Sequence, residues 1–423
     1  MKQHIKQSVS WLQNLSGLTL FACLPMFFNG VTRISMFMFI VLSLVDYVIN
    51  KRYKDAHFFT LQKAPFWACI AVYALLLAYT PFEKHPDYLP VFTESRLAFL
   101  VFGILGVLGT QVPRAKHVAY IGIVMSVALI IYTLYLSYTI TPDEGMDWKR
   151  HIIMTRHSHI HAHMAFNMFL NVTIAACFWL IKQHKQRVYQ ITYIALIALF
   201  YGAVAFSDGR MGFISCNIIV IMGIAYLLGE KHKKTTLLLL LGCIVVGSFI
   251  ILSNRKVEKL LSSQHEIRHD IWSESIALIQ QDPIIGVGAS TNVYRLIEAF
   301  KASESIQQDR AFINACTNID LSGAHPHNQL MQSMMENGLL GLLCMMTILI
   351  VPVVYSIKNK SNMMVIACCC IIVVQLQTEV IRGSLGDYAF CLYLLFAMHY
   401  AQQSSKKVVG SMQGHDQLPS AAR

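Results

Sequence analysis

Residues 338–356 read Gly338-Leu339-Leu340-Gly341-Leu342-Leu343-Cys344-Met345-Met346-Thr347-Ile348-Leu349-Ile350-Val351-Pro352-Val353-Val354-Tyr355-Ser356, without a single charge, and are followed by Lys358 and Lys360. One helix of about 20 apolar residues crosses a bilayer, and a basic flank marks the end held in the cytoplasm. The stretch therefore predicts a transmembrane helix entered from the opposite side. There His325-Pro326-His327-Asn328-Gln329 precedes it.

Working outward, comparable runs fall near 15–30, 34–50, 65–81, 96–111, 118–140, 163–181, 189–206, 211–229, 235–252, 361–378 and 386–401. With the first stretch they predict an all-α polytopic membrane protein of about twelve transmembrane helices. Composition agrees. Of 423 residues, 55% are hydrophobic and 13% charged, against about 25% charged in soluble proteins. That excludes an ordinary cytosolic enzyme and a disordered or fibrous chain. The net charge of +11 comes from short clusters between apolar runs, not from the single patch that nucleic acid would need. Ten of the eleven cysteines, including Cys368, Cys369 and Cys370, lie in apolar stretches. They read as small buried hydrophobes rather than a disulfide framework. The start, Met1-Lys2-Gln3-His4-Ile5-Lys6, has the basic end of a signal peptide but no small-residue cleavage site follows, so it predicts an uncleaved first helix.

With the N-terminus in the cytoplasm, alternation across twelve helices leaves every inside segment short and basic. These carry Lys2 and Lys6; Lys51, Arg52, Lys54 and Lys63; Arg114 and Lys116; Lys182, Lys185 and Arg187; Lys231, Lys233 and Lys234; Lys358 and Lys360; and Lys406, Lys407 and Arg423. The positive-inside rule then places both termini in the cytoplasm. Residues 1–402 form one transmembrane domain that includes a large outside loop at 253–337, and 403–423 form a polar, disordered cytoplasmic tail. Within the loop, Ile267, Ile271, Trp272, Ser275, Leu278 and Ile279 repeat at helical spacing, predicting an amphipathic helix at the membrane. Asp282-Pro283 stops it and Gly286-Val287-Gly288 makes a tight turn.

Chemistry concentrates on the outer side. His325-Pro326-His327-Asn328-Gln329 puts imidazoles just before a transmembrane helix, where histidine can take a proton near neutral pH; alternatively a histidine merely caps the helix. Arg210, in Ser207-Asp208-Gly209-Arg210, occupies a short outside turn. Arg268 opens the amphipathic helix, and Arg382, in Val380-Ile381-Arg382-Gly383, lies in the last outside turn. Charge at membrane depth normally faces a polar cavity, and arginine binds diphosphate oxygens bidentately. Three arginines with a histidine describe a site for an anionic lipid headgroup, unless the arginines pair with Asp208, Asp270 or Asp387. Arg33 and Glu379 are further membrane-proximal charges. The cluster Arg156-His157-Ser158-His159-Ile160-His161-Ala162-His163 alternates histidines as only an extended strand would align them, and no ligand set for zinc completes it, so no metal is expected there. No nucleotide-binding turn occurs. A transferred group would arrive already activated on a lipid carrier.

Ser207-Asp208-Gly209-Arg210, Arg268 with Trp272, Gln281-Asp282-Pro283-Ile284-Ile285-Gly286-Val287-Gly288, and His327-Asn328 with Gly338 and Gly341 together resemble the O-antigen ligase family. The resemblance extends to Asn29-Gly30-Val31-Thr32-Arg33 and to Val380-Ile381-Arg382-Gly383, and departs from the family's commoner Ser-Arg-Gly order at 207–210. It implies a glycosyltransferase of the C-type (GT-C) membrane fold in the bacterial inner membrane, working on the periplasmic side without cofactor or metal. The implied donor is O-antigen on undecaprenyl diphosphate and the implied acceptor a sugar hydroxyl of lipid A–core oligosaccharide, with inversion at the anomeric carbon. By the same resemblance His327 is the catalytic base, Arg210 and Arg268 hold the diphosphate, and Arg382, Arg33, His325 and Asn328 are further substrate contacts. An O-antigen polymerase using the same donor is the nearest rival. A protein O-oligosaccharyltransferase would have an extra C-terminal domain, and a twelve-helix secondary transporter would show similar halves.

Overall fold

A computed structural model of the chain describes residues 2–23, 29–51, 58–85, 89–140, 163–207, 210–228, 267–303, 325–359 and 389–402. Every element among them is helical: α1 (Lys2–Cys23), α2 (Asn29–Ile49), α3 (Ala64–Tyr79), α4 (Leu89–Leu108), α5 (Ala115–Ile140), α6 (His163–Gln183), α7 (Arg187–Phe206), α8 (Arg210–Leu228), α9 (Ile267–Gln281), α10 (Ala289–Ala302) and α11 (Gln329–Lys358), with short 3-10 turns at Leu61–Lys63 and Thr80–Phe82. A further apolar helix spans Ala389–Gln402.

Five helical segments among the described residues are long and apolar enough to cross a membrane: Gly30–Ile49, Leu61–Phe82, Ala115–Tyr135, Arg187–Phe206 and Gln329–Lys358. Their flanks are open to lipid. On α7, Val188, Ile191, Ile194, Leu199 and Phe206 are all exposed, and on α2 Ile34, Phe37 and Val48 are, as befits helices whose solvent is hydrocarbon. The protein is a multi-pass membrane protein.

The expected count of about twelve spanning helices is corrected by this. The physical reason is that an apolar run records burial, not what buries it. The run at 163–181 becomes α6, whose side chains from Phe166 to Ile181 are mostly enclosed by protein, Asn167 and Asn171 included. The run at 386–401 is described over Ala389–Gln402, which is almost wholly buried, and the run at 211–229 over Gly212–Leu228. The run at 96–111 falls mostly in α4, which carries Glu94 and Arg96, and of the run at 15–30 residues 15–23 fall in α1, which starts at Lys2. The runs at 235–252 and 361–378 lie outside the described residues, as do 141–162, 253–266, 304–324 and the tail at 403–423. The C-type membrane glycosyltransferase fold is likewise not supported: no feature of the described helices marks it.

The main core gathers Phe39, Phe66, Phe99, Phe102, Leu170 and Phe396 from α2, α3, α4, α6 and the helix Ala389–Gln402. Buried cysteines join it, among them Cys177, Cys216 and Cys391. A second, smaller core of Leu76, Phe92, Ile271, Val293, Leu296, Phe300 and Met335 joins α3, α4, α9, α10 and α11. The expected amphipathic helix is α9, and its buried stripe of Ile271 and Ser275 packs toward α10 and α11. The Lys63 ammonium donates to the Val107 carbonyl (2.5 Å) and that of Lys182 to Tyr226 O (3.2 Å). The last turn of α3 meets the α9–α10 turn through Tyr79 and Ile285, and that turn bonds to α11.

Candidate active site

The start of α11 is built by four hydrogen bonds between side chains and backbone. Asn328, in extended conformation, accepts hydrogen bonds from the N–H groups of Leu330 (3.0 Å) and Met331 (3.1 Å), so the cap is the asparagine and not a histidine. His327 before it has φ +50°, a left-handed conformation uncommon for residues other than glycine, though histidine is among those enriched there. Its N–H donates to Nδ1 of His325 at 3.2 Å, a local turn that fixes the acceptor nitrogen of His325. The two rings lie 4.1 Å apart between centroids. From α9, the Trp272 indole N–H donates to the Pro326 carbonyl at 2.8 Å. Both imidazoles are half-buried. The segment is thus pinned on both sides, and a half-exposed imidazole so held can accept a proton from a bound hydroxyl.

Two turns further on, α11 breaks. Asn337 (φ −131°, ψ 18°) and Gly338 (φ 57°, ψ −151°) leave helical geometry within the helix. Backbone groups released inside a membrane protein must find other partners, and the turn after α9 supplies them. Val287 N–H donates to Met335 O (2.9 Å), Gly288 N–H to Glu336 O (2.8 Å), and Leu339 N–H to the carbonyls of Pro283 and Ile284 (3.1 Å each). The fit requires glycine on both sides: a Cβ on Gly286 (φ +79°) would lie 2.5 Å from Gly338 N, and one on Gly338 would overlap Ile284 O. The expected loop at 253–337 therefore ends early, since 329–337 is already helix, and the expected turn at 282–288 is the wedge in the break.

Charges missed by the sequence reading line this region. Glu336, 1% exposed, receives Arg96 of α4 at 2.8 Å and 3.1 Å through one guanidinium nitrogen. The Gln332 amide donates to the same carboxylate at 2.5 Å. Glu83 caps α10 from afar, accepting from Ser290 N–H (3.1 Å), Thr291 N–H (2.8 Å) and the Thr291 hydroxyl (2.6 Å). Tyr79 donates its hydroxyl to the Ile285 carbonyl, and His85 stacks on Tyr294 at 3.9 Å. The signal was present for Arg96, a charge at the head of an apolar run; Glu336 sits among polar residues.

The structure brings His325, His327 and Asn328 together at the head of α11, beside α9. Arg268 and Arg210 lie in the first turns of α9 and α8, but their side chains fall outside what is described. The Arg210 turn is anchored to α6: Ser207 donates its hydroxyl to Asn167 Oδ1 at 2.6 Å, and Asn171 Nδ2 donates to Gly212 O at 2.9 Å. Arg33 is exposed on α2, which packs on α1 and α4. Arg382, Glu379 and the histidines from His157 to His161 lie outside the described residues, and of His163 only the backbone is described. Among the described residues no cluster of three or more His, Cys, Asp or Glu could hold a metal ion.

An uncharacterized protein of Haemophilus influenzae is 24% identical over 208 residues, 45% of this chain and 48% of that protein. The chain thus spans about half the length of the curated relative it matches. The family model described as O-antigen ligase matches residues 167–346. That stretch runs from Asn167 through Arg210, Arg268, the wedge at 282–288 and His327 to beyond the break at Gly338, and it is this part of the chain that is similar to the O-antigen ligase family.

Proposed function

We propose that the protein transfers O-antigen polysaccharide from undecaprenyl diphosphate to a sugar hydroxyl of lipid A–core oligosaccharide on the periplasmic side of the bacterial inner membrane. What carries the reading is His327, held in a left-handed turn at the head of a spanning helix inside the segment matched by the O-antigen ligase family. The orientation is supported by Lys358, in the last turn of α11 at the other end of that helix from His327, a basic flank that the positive-inside rule assigns to the cytoplasm.

In this mechanism the acceptor hydroxyl gives its proton to His327 as its oxygen attacks the anomeric carbon. The bond from that carbon to the diphosphate oxygen breaks, and the electron pair leaves with the diphosphate. Arg210 and Arg268 hold that group and stabilise its growing charge. A single displacement of this kind inverts the anomeric configuration.

The test replaces His327 with asparagine, which tolerates the same backbone conformation but cannot act as the base. His327→Asn should insert at wild-type levels and lose transfer from lipid-linked O-antigen to lipid A–core by at least about a hundredfold, the lower range for removing a general base. Normal capping of lipid A–core by that variant would end the proposal. A deletion strain leaving core capped by single repeat units, rather than unattached polymer, would assign polymerase activity instead.

A further inference from the structure

The last helical residue before the break in α11 is Glu336, and two other segments and its own helix meet on it. Its carboxylate takes the Arg96 guanidinium of α4, its carbonyl takes the Gly288 N–H of the wedge, and Gln332 reaches back to its side chain from one turn nearer the cap. Gln332 in turn donates its backbone N–H to Asn328 O at 3.0 Å. Hydrogen bonds therefore run without interruption from Arg96 to the residue that follows His327. Arg96, Glu336 and Gln332 are each no more than 5% exposed, and Gln332 Oε1 is buried with no partner among the described residues.

For stability alone this arrangement is a poor choice. Both charges are stripped of water, and well-packed apolar side chains of similar volume hold such positions as well or better. Buried ionisable groups in a membrane protein are otherwise found where function needs them. What an ion pair adds is direction: a carboxylate gripped by one guanidinium and one amide fixes the rotation of α11 about its axis, which apolar contacts leave looser. Arg96 also lies outside the family-matched segment 167–346, so the pair ties the matched half of the chain to the unmatched half.

We propose that Arg96 and Glu336 are a positioning pair for the reaction: they set the angle at which α11 leaves its break and so where His327 meets the acceptor hydroxyl. This rests on the transfer reaction proposed above. Neither residue touches substrate in this scheme.

The experiment compares wild type with Arg96→Met/Glu336→Leu, an uncharged pair of similar volume, and with Glu336→Gln, which keeps shape and one acceptor. Full-length proteins in detergent are assayed with lipid-linked O-antigen and lipid A–core, and amide exchange of the peptide covering Val287 and Gly288 is followed by mass spectrometry. The expected result for the double variant is an unchanged thermal midpoint, a kcat lowered at least tenfold, and a KM for the lipid-linked donor within about threefold of wild type, with faster exchange at Val287 and Gly288. Glu336→Gln should fall between the two. Wild-type kcat in the double variant overturns the proposal, as does a loss confined to KM. If the double variant does not fold, wild-type kcat in Glu336→Gln overturns it. If wild type itself transfers nothing, the transfer reading fails, and unchanged exchange at Val287 and Gly288 in the double variant then overturns the positioning role separately.

Discussion

Gly338 of α11 faces the carbonyl of Ile284 so closely that the first carbon of any side chain at 338 would occupy the space of that oxygen. The contact is where two segments more than fifty positions apart share one hydrogen-bonding system, and both the break in the helix and the seat of the wedge depend on it.

Gly338→Ala should therefore be among the most damaging single-atom-scale changes in the chain. At φ 57° and ψ −151° the backbone occupies a region essentially restricted to glycine, costing about 1–3 kcal/mol for other residues. Overlap with Ile284 adds about 1–3 kcal/mol as the wedge is pushed out. Thermal unfolding in detergent should show a clearly lowered midpoint for Gly338→Ala. Gly202→Ala is the control: a Cβ there meets nothing within 4 Å, and alanine favours the helix, so its midpoint should hold or rise. Equal midpoints for the two variants would mean that the break does not need its glycine.

His325 supplies the acceptor for the His327 N–H, and the prediction concerns that nitrogen rather than the ring. His325→Ala removes a hydrogen bond worth about 1 kcal/mol, enough to lower the population of the left-handed turn about fivefold. His325→Asn places an amide oxygen where Nδ1 stood, the geometry of an Asx turn. Initial transfer rates should fall about fivefold in His325→Ala and stay within about twofold of wild type in His325→Asn. Equal loss in both would assign His325 a role of its own toward substrate.

How far the site could be read in advance differs by residue. The apolar run from Gly338 onward with its basic flank is a local pattern, and it folds as the spanning part of α11. α9, with Ile271, Trp272 and Ser275 on one face, and the stop at Asp282-Pro283 were equally local. Residues 329–337 were not. Gln329, Gln332, Ser333, Glu336 and Asn337 read as loop because they are polar, yet the first four are buried in helix and Asn337 is buried at its break. Their partners are distant: Arg96 lies 240 positions away, and the wedge is bonded to them through main chain, which leaves no trace in side-chain periodicity. The count of spanning helices failed for a related reason. α6 is apolar because protein surrounds it, and hydropathy alone does not tell protein from lipid.

Glu83 offers the last test, because it performs a local duty from a remote position. In most helices the residue before the first turn accepts the free N–H groups, but that position in α10 is Gly288, whose side chain has nothing to offer. The Glu83 carboxylate takes the N–H groups of Ser290 and Thr291 instead, where the helix dipole also favours a negative charge. Losing such a cap costs about 1–2 kcal/mol, a factor of about 5–30 in a local equilibrium. Glu83→Ala should speed exchange of the Ser290 and Thr291 amides by that factor. Glu83→Gln, which keeps an acceptor but loses the charge, should fall between. The rest of α10 is held by Val293, Leu296 and Phe300 in the second core, so exchange near its C-terminus should not change. Acceleration along the whole helix would mean that Glu83 holds α10 in place rather than capping its first turn.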